Sequence, residues 1–183
     1  LENGEIRIAR AGIGASMPAR FLLVGATNPC PCGGGGPGAC VCSDNARQRY
    51  LRRLSGPLLD RFDIRVAVAA TSPLDLLDDT PAESTEVIRD RVLRARRISH
   101  SRQGKPNALL GAGELDEHAP LDDDAKAVLR AELESGRLTG RGFHRVRRVA
   151  RTLADLGGGH DGAVTDQYVI EAIALRARVG VQR

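Results

Sequence analysis

The stretch Phe21–Asp63, FLLVGATNPCPCGGGGPGACVCSDNARQRYLRRLSGPLLDRFD, decides how this chain is read. Phe21 to Ala26 is a continuous apolar run, as expected of a strand buried on both faces of a parallel sheet. The run ends in Ala26-Thr27-Asn28, which places a polar amide at the strand tip, before Pro29. Residues 29–42 are expected to be loop, because Gly33 to Gly36 and Pro37 do not sustain regular structure. The loop carries Cys30, Cys32, Cys40 and Cys42, spaced C-x-C-x7-C-x-C. Ser43 then caps a basic helix to about Leu54, with Ala46, Tyr50 and Leu54 on one face. Gly56-Pro57 ends that helix, and Leu58-Leu59-Asp60-Arg61-Phe62-Asp63 leads into a second apolar strand, Ile64 to Ala69.

Upstream of the stretch, Glu5-Ile6-Arg7-Ile8-Ala9-Arg10 alternates polar and apolar residues, the pattern of a half-buried strand or hairpin arm. Gly12-Ile13-Gly14-Ala15 and Pro18 are expected to break it. Downstream, residues 73–83 carry Pro73, Pro81 and several aspartates and read as a linker. Beyond them the pattern is helical only. Ser84 opens a long arginine-rich helix to about Gln103, and residues 104–120 are mostly loop. Asp122, Asp123 and Asp124 supply a negative first turn for a helix to Leu133, which suits the helix dipole. Thr139 caps a helix to Leu156 whose buried stripe is Phe143, Val146, Val149, Ala150 and Leu153. Gly157-Gly158-Gly159 stops it, and Thr165 caps a last helix with Val169, Ala172 and Ile173 inward. The expected architecture is an α/β part over residues 1–72, the linker 73–83, and an all-helical part over residues 84–183.

The chain has 183 residues and a formal charge of +4, with Lys and Arg outnumbering Asp and Glu by 27 to 23. Nearly all of that positive charge is arginine. This balance suits phosphate or nucleic-acid partners, and equally an arginine-favouring genome. Aromatics are only 3% of residues, so a core must rest on Leu, Val, Ile and Ala. No stretch is long and apolar enough to cross a membrane, and no charged-then-apolar leader opens the chain. The cysteines are bunched between residues 30 and 42, which argues for a local site in a cytoplasmic setting rather than a secreted disulfide framework.

Several residues stand out chemically. Asn28 can orient a water or bond a terminal phosphate; it equally suits a turn before proline. Arg61, flanked by Leu58, Leu59 and Phe62, can reach a developing phosphate charge; it could also pair with Asp60 or Asp63. Arg141 lies in the first turn of a helix, where the dipole disfavours a cation unless an anion compensates. Arg145 and Arg148 follow it at one-turn spacing, so a solvated basic face is the other reading. The four cysteines supply the ligand count of a tetrahedral zinc site, although C-x-C is tighter than the commoner C-x-x-C; free thiols or disulfides formed on purification fit as well. Arg47, Arg49, Arg52 and Arg53, and Arg89, Arg91, Arg94, Arg96 and Arg97, form two basic faces. Each suits phosphate contact or simple solvation.

The order strand–Asn, cysteine loop, basic helix, Gly-Pro-Leu-Leu-Asp-Arg-Phe-Asp resembles the second half of a AAA+ ATPase core. The cysteine-bearing version resembles the magnesium-chelatase-like AAA+ family, in particular its bacterial ComM/YifB-type, competence-related branch. The resemblance covers nearly the whole chain. It implies the C-terminal part of a P-loop core followed by an all-helical lid, with Asn28 as sensor 1, Arg61 as arginine finger and Arg141 as sensor 2. The phosphate-cradling G-x-x-x-x-G-K-[ST] loop is not found; the only Gly-Lys is Gly104-Lys105, followed by Pro106. An apolar strand ending in Asp-Glu, the usual magnesium holder, is not found either. The expectation is therefore a piece of a larger ATPase that uses ATP and Mg2+ and assembles as a homo-oligomeric ring, a hexamer. Such a ring would remodel DNA, and the piece alone would be inactive. Two alternatives are a zinc-stabilised nucleic-acid-binding module and a chelatase subunit inserting metal into porphyrin.

Overall fold

A computed structural model describes residues 4–10, 12–34, 40–54, 56–69, 71–73, 77, 81–159 and 162–176. The architecture is mixed α/β, and the chain divides into two compact units, Leu1–Arg47 and Gln48–Arg183.

In the first unit, β1 (Glu5–Arg10) pairs antiparallel with β2 (Ile13–Pro18), in a register from Glu5↔Pro18 to Arg10↔Ile13. That register leaves a two-residue connection. Gly12 takes φ +82°, a left-handed value that a side chain would resist. The segment Gly12–Ala15, expected to break the strand, instead turns and runs back as its partner. Every residue of β1 is exposed, so the hairpin is not half-buried as its alternation suggested. The hairpin base closes where the Ala19 amide donates to the Gly4 carbonyl at 2.8 Å.

The run after it differs from expectation. Phe21 to Ala26 belongs to no strand, and Phe21, Leu22, Leu23 and Val24 are 51–88% exposed. The expected parallel sheet is replaced, among the described residues, by the two-stranded antiparallel hairpin. The physical reason is that strand hydrogen bonds are made to another segment, and β1 and β2 are spent on each other. The unit continues into helix α1 (Asp44–Leu51), where Ser43 Oγ accepts from the Ala46 amide at 3.3 Å. α1 ends three residues short of the expected Leu54.

In the second unit, the short helix α2 (Gly56–Leu59) precedes Asp60–Asp63. The second expected strand, Ile64 to Ala69, makes one parallel bridge, Arg65↔Arg176, and otherwise stays unpaired, with Ile64, Val66 and Val68 exposed. The helices follow the expected pattern closely. α3 (Thr85–Gln103) is capped by Ser84 Oγ accepting from the Val87 amide and ends on Gly104 at φ +71°. Three-ten turns (Asn107–Leu109 and Ala112–Glu114) and the short α4 (Leu115–His118) occupy the expected loop. α5 (Asp123–Glu134) uses Asp122 as its cap, accepting from the Ala125 amide at 2.7 Å. α6 (Gly140–Leu156) is capped by Thr139, whose Oγ1 accepts from the Gly142 amide at 3.0 Å. α7 (Asp166–Ala174) closes the unit.

The core lies between α5, α6 and α7. Ala125, Leu129, Leu138, Val146, Val149, Ala150, Val164, Val169 and Ala172 are buried together, with Phe143 and Leu153 packed against them. One feature of α6 differs from the expected stripe: Arg145, Arg147 and Arg151 are also buried. Each donates through the Nη groups of its guanidinium fork, as burial of a charge requires, although the Nε atoms of Arg145 and Arg147 stay buried without a hydrogen bond. Arg147 donates to the Leu115 and Ala119 carbonyls and to Asp116. Arg151 donates to the Gly159 and Gly162 carbonyls and pairs with Asp155. Asp155 also receives Arg102 from α3 at 2.8 Å and Asn107 at 2.8 Å. A buried ionic knot therefore ties α3 to α6.

Candidate functional site

The four cysteines are brought together most clearly. Their Sγ atoms all lie within 4.8 Å of one another. Cys30–Cys32 is 3.3 Å, Cys30–Cys40 is 3.5 Å and Cys32–Cys40 is 3.7 Å. All four are free thiols. Cys30 is 2% exposed, although Pro29 and Pro31 on either side of it are exposed. The loop folds back because the Gly33 amide donates to the Cys30 carbonyl at 3.1 Å, with Gly33 at φ +76°. The Gly34 amide above all, then the Cys30 thiol, pulls the Cys32 thiol down to about 6. The hydrogen bond to Cys32 chiefly, with partial burial, holds the Cys42 thiol up at about 12. Four sulfurs within reach of one another form a donor set that suits a soft, thiophilic cation.

Asn28 sits two residues before Cys30 and is exposed. Its side chain borders the cysteine loop: a Cβ built at Gly33 would lie 3.7 Å from Asn28 Nδ2. Asn28 belongs to the unit Leu1–Arg47, whereas Arg61 and Arg141 belong to the unit Gln48–Arg183.

Arg61 is exposed on a tightly held segment. Its amide donates to the Leu58 carbonyl at 3.0 Å, and the Phe62 amide to the Leu59 carbonyl at 3.1 Å. The main anchor is ionic rather than apolar, since Leu59 and Phe62 are only half-buried and Leu58 is exposed. Arg145 Nη1 from α6 donates to the Arg61 carbonyl and, at 3.1 Å, to Asp63 Oδ1. Arg176, just past α7, donates to Asp60 Oδ1 at 2.7 Å and to the Phe62 carbonyl at 3.4 Å. Asp60 and Asp63 thus each accept from an arginine of the helical part, Arg176 and Arg145.

Arg141 is exposed in the first turn of α6, one turn before Arg145. The reading of Arg141, Arg145 and Arg148 as one solvated face does not hold. Arg145 is 7% exposed, and Arg148 donates to the Leu110 carbonyl at 2.7 Å. The clamp residues Arg145 and Arg176 were missed by sequence reasoning. The only signal available was arginine at an inward position of an amphipathic helix, which composition alone assigns to the surface.

The basic faces are partly as expected. Arg49, Arg52, Arg53, Arg89, Arg94, Arg96 and Arg97 are exposed, while Arg91 forms a bidentate pair with Glu83 at 2.8 and 3.0 Å. Among the described residues no helix is long and apolar enough to cross a membrane.

Comparison with known proteins gives two adjoining matches. Residues 1–76 match the family model described as magnesium chelatase, subunit ChlI, and residues 82–176 match its C-terminal model. The chain is 39% identical over 181 residues to "Competence protein ComM" of Haemophilus influenzae, covering 98% of this chain and 35% of that protein. It is 36% identical over 179 residues to "Uncharacterized protein YifB" of Escherichia coli, covering 97% and 35%. An uncharacterized Mycobacterium tuberculosis protein is 42% identical over 192 aligned residues, covering 100% and 36%. The chain thus spans about a third of the length of these relatives.

Proposed function

Because this chain belongs to the magnesium chelatase ChlI family, we propose that it is the sensor, arginine-finger and lid portion of a ring-forming AAA+ ATPase. The boundary between the two family matches, near residues 76–82, supports a division into core portion 1–72, linker 73–83 and lid 84–183. A relative is named a competence protein, and on that likeness the intact ring would remodel DNA. The exposed arginines of α1 and α3 offer the charge such contact uses.

The observation that carries this reading is the clamp on Asp60–Asp63. Two arginines hold the backbone and both carboxylates of a four-residue segment, and the residue presented from it is an exposed arginine. Such rigidity suits a charge that must meet a transferring phosphoryl group in one geometry, since pre-organised cations act without reorganisation cost. Arg61 spreads its positive charge over a planar fork that matches the geometry of phosphoryl oxygens. It would stabilise charge developing on the γ-phosphoryl oxygens of a neighbouring subunit's ATP. The Asn28 amide would donate to a γ-phosphate oxygen and accept from the attacking water, fixing the line of attack. Arg141, offset from the positive end of α6 by phosphate, would bind nucleotide. Magnesium-bound ATP would be held chiefly by residues outside this chain, so residues 1–183 alone would neither bind ATP tightly nor hydrolyse it.

The test is steady-state ATP hydrolysis by the full-length protein. Arg61→Ala is expected to lower kcat by roughly a thousandfold or more, with KM for ATP changed little. Arg145→Gln, which loosens the segment without removing the finger, should give a smaller loss in kcat. Wild-type turnover by Arg61→Ala would overturn the assignment.

A further inference from the structure

We propose that Cys30, Cys32, Cys40 and Cys42 form a tetrathiolate site for a structural Zn2+ that positions the Asn28 amide, so that metal loading governs ATP turnover without governing nucleotide affinity. The coupling half of this inference rests on the sensor role proposed for Asn28; the metal half does not.

The geometry supports the site first. Zn–S bonds of about 2.3 Å in a tetrahedron place the sulfurs about 3.8 Å apart. The sulfur separations of 3.3, 3.5 and 3.7 Å lie close to that edge. All four atoms fall within one 4.8 Å cluster, so a single cation reaches every ligand. Cys30 is also buried in an otherwise exposed segment. With all four positions taken by sulfur, no position remains for substrate or water, so the metal is structural and not catalytic. Binding releases to solvent the protons of those thiols that carry one, and no oxidation or reduction is involved.

The link to Asn28 is short. Pro29 fixes φ between Asn28 and the ligand Cys30, so a held Cys30 leaves Asn28 little backbone freedom. The turn that returns the loop, closed by the Gly33 amide on the Cys30 carbonyl, brings Gly33 beside the Asn28 amide, close enough that a Cβ there would lie 3.7 Å from Nδ2. A bound cation would tie the Cys30 and Cys32 end of that turn to Cys40 and Cys42, a crosslink that is lost when the metal is removed. Metal therefore closes the surface on which the Asn28 side chain rests. Asn28 acts on the reaction; the four cysteines are positioning residues.

Full-length protein purified reduced and without chelator tests both halves. Elemental analysis should give one zinc per chain. Replacement by Co2+ should give the intense visible absorption of a tetrahedral cobalt thiolate, and Cys30→Ser and Cys40→Ser should each abolish it. Chelator-stripped protein should lose roughly tenfold or more in kcat, keep its affinity for a non-hydrolysable ATP analogue within about threefold, and recover on adding Zn2+. Recovery by metal alone keeps the test valid even if the Ser variants fold poorly. Asn28→Ala should lower kcat with zinc content unchanged, and stripping that variant should lower it no further. Less than stoichiometric zinc in fresh protein would overturn the site. Unchanged turnover on stripping, alongside a damaged Asn28→Ala, would overturn the coupling alone. Full activity of Asn28→Ala would instead overturn the sensor role and the coupling with it, leaving the zinc content to decide the site.

Discussion

The helical part of the unit Gln48–Arg183 and the apolar run of the unit Leu1–Arg47 draw on similar residues with opposite results. In the first, α5, α6 and α7 bury Leu129, Val146, Val164 and Val169 to 1% exposure or less. In the second, Leu22 and Val24 remain 88% and 81% exposed. Hydrophobicity is therefore not what separates them. A helix satisfies its backbone within itself and needs only a face to bury, and the faces of α5 to α7 meet within this chain. A strand of the parallel-sheet kind needs neighbours on both edges and cover on both faces.

The contrast is open to attack through the ionic knot of the helical part. Asp155 is fully buried between Arg102 and Arg151. Removing one partner of such a pair costs about 3–5 kcal/mol, because charge is left buried and uncompensated. Asp155→Asn should destabilise the unit by that order in chemical denaturation. Burial pushes the Asp155 carboxyl upward, but the hydrogen bonds from Arg102 and Asn107 outweigh it and hold the group below its ordinary value of 3.8. The unfolded chain then takes up the proton first as pH falls. Its contribution to stability is present above about pH 4 and lost as pH drops through the folded value. Wild type should show this acid loss, and Asp155→Asn should flatten it. An unchanged acid limb would show that another carboxylate dominates.

A smaller effect sharpens the same contrast. Leu129→Ala should cost about 2–5 kcal/mol in the isolated chain, through lost burial and a cavity. Leu22→Ala should lie within about 0.5 kcal/mol, as for an exposed position. In the full-length protein the two should converge, because Leu22 would there sit in a completed sheet. An equally large cost for Leu22 in the isolated chain would mean that its run is already packed.

How much was legible in the sequence follows the same division. Ser84, Asp122 and Thr139 were read as caps or first-turn residues and act as caps; Gly104, just past the expected last residue Gln103, terminates α3. These signals are local, a side chain and an amide three residues apart, so spacing alone reveals them. The cysteine cluster was legible for a similar reason, since its ligands span only residues 30–42. The clamp was not. Arg145 meets Asp63 across 82 residues and Arg176 meets Asp60 across 116, and no spacing rule connects them. The hairpin arm was legible in the alternation of Glu5–Arg10, but its partner was not, because Gly12 reverses the chain where a break was expected.

The central claim is that Arg61 serves a neighbour's nucleotide while Asn28 serves its own. The most direct measurement is ATP turnover by rings mixed from full-length Asn28→Ala and full-length Arg61→Ala subunits, each expected to turn over slowly alone. The account predicts recovered turnover on mixing, because an Asn28-intact pocket then meets an intact Arg61 from the adjacent subunit. Mixed rings that assemble yet stay as inactive as either parent would contradict it.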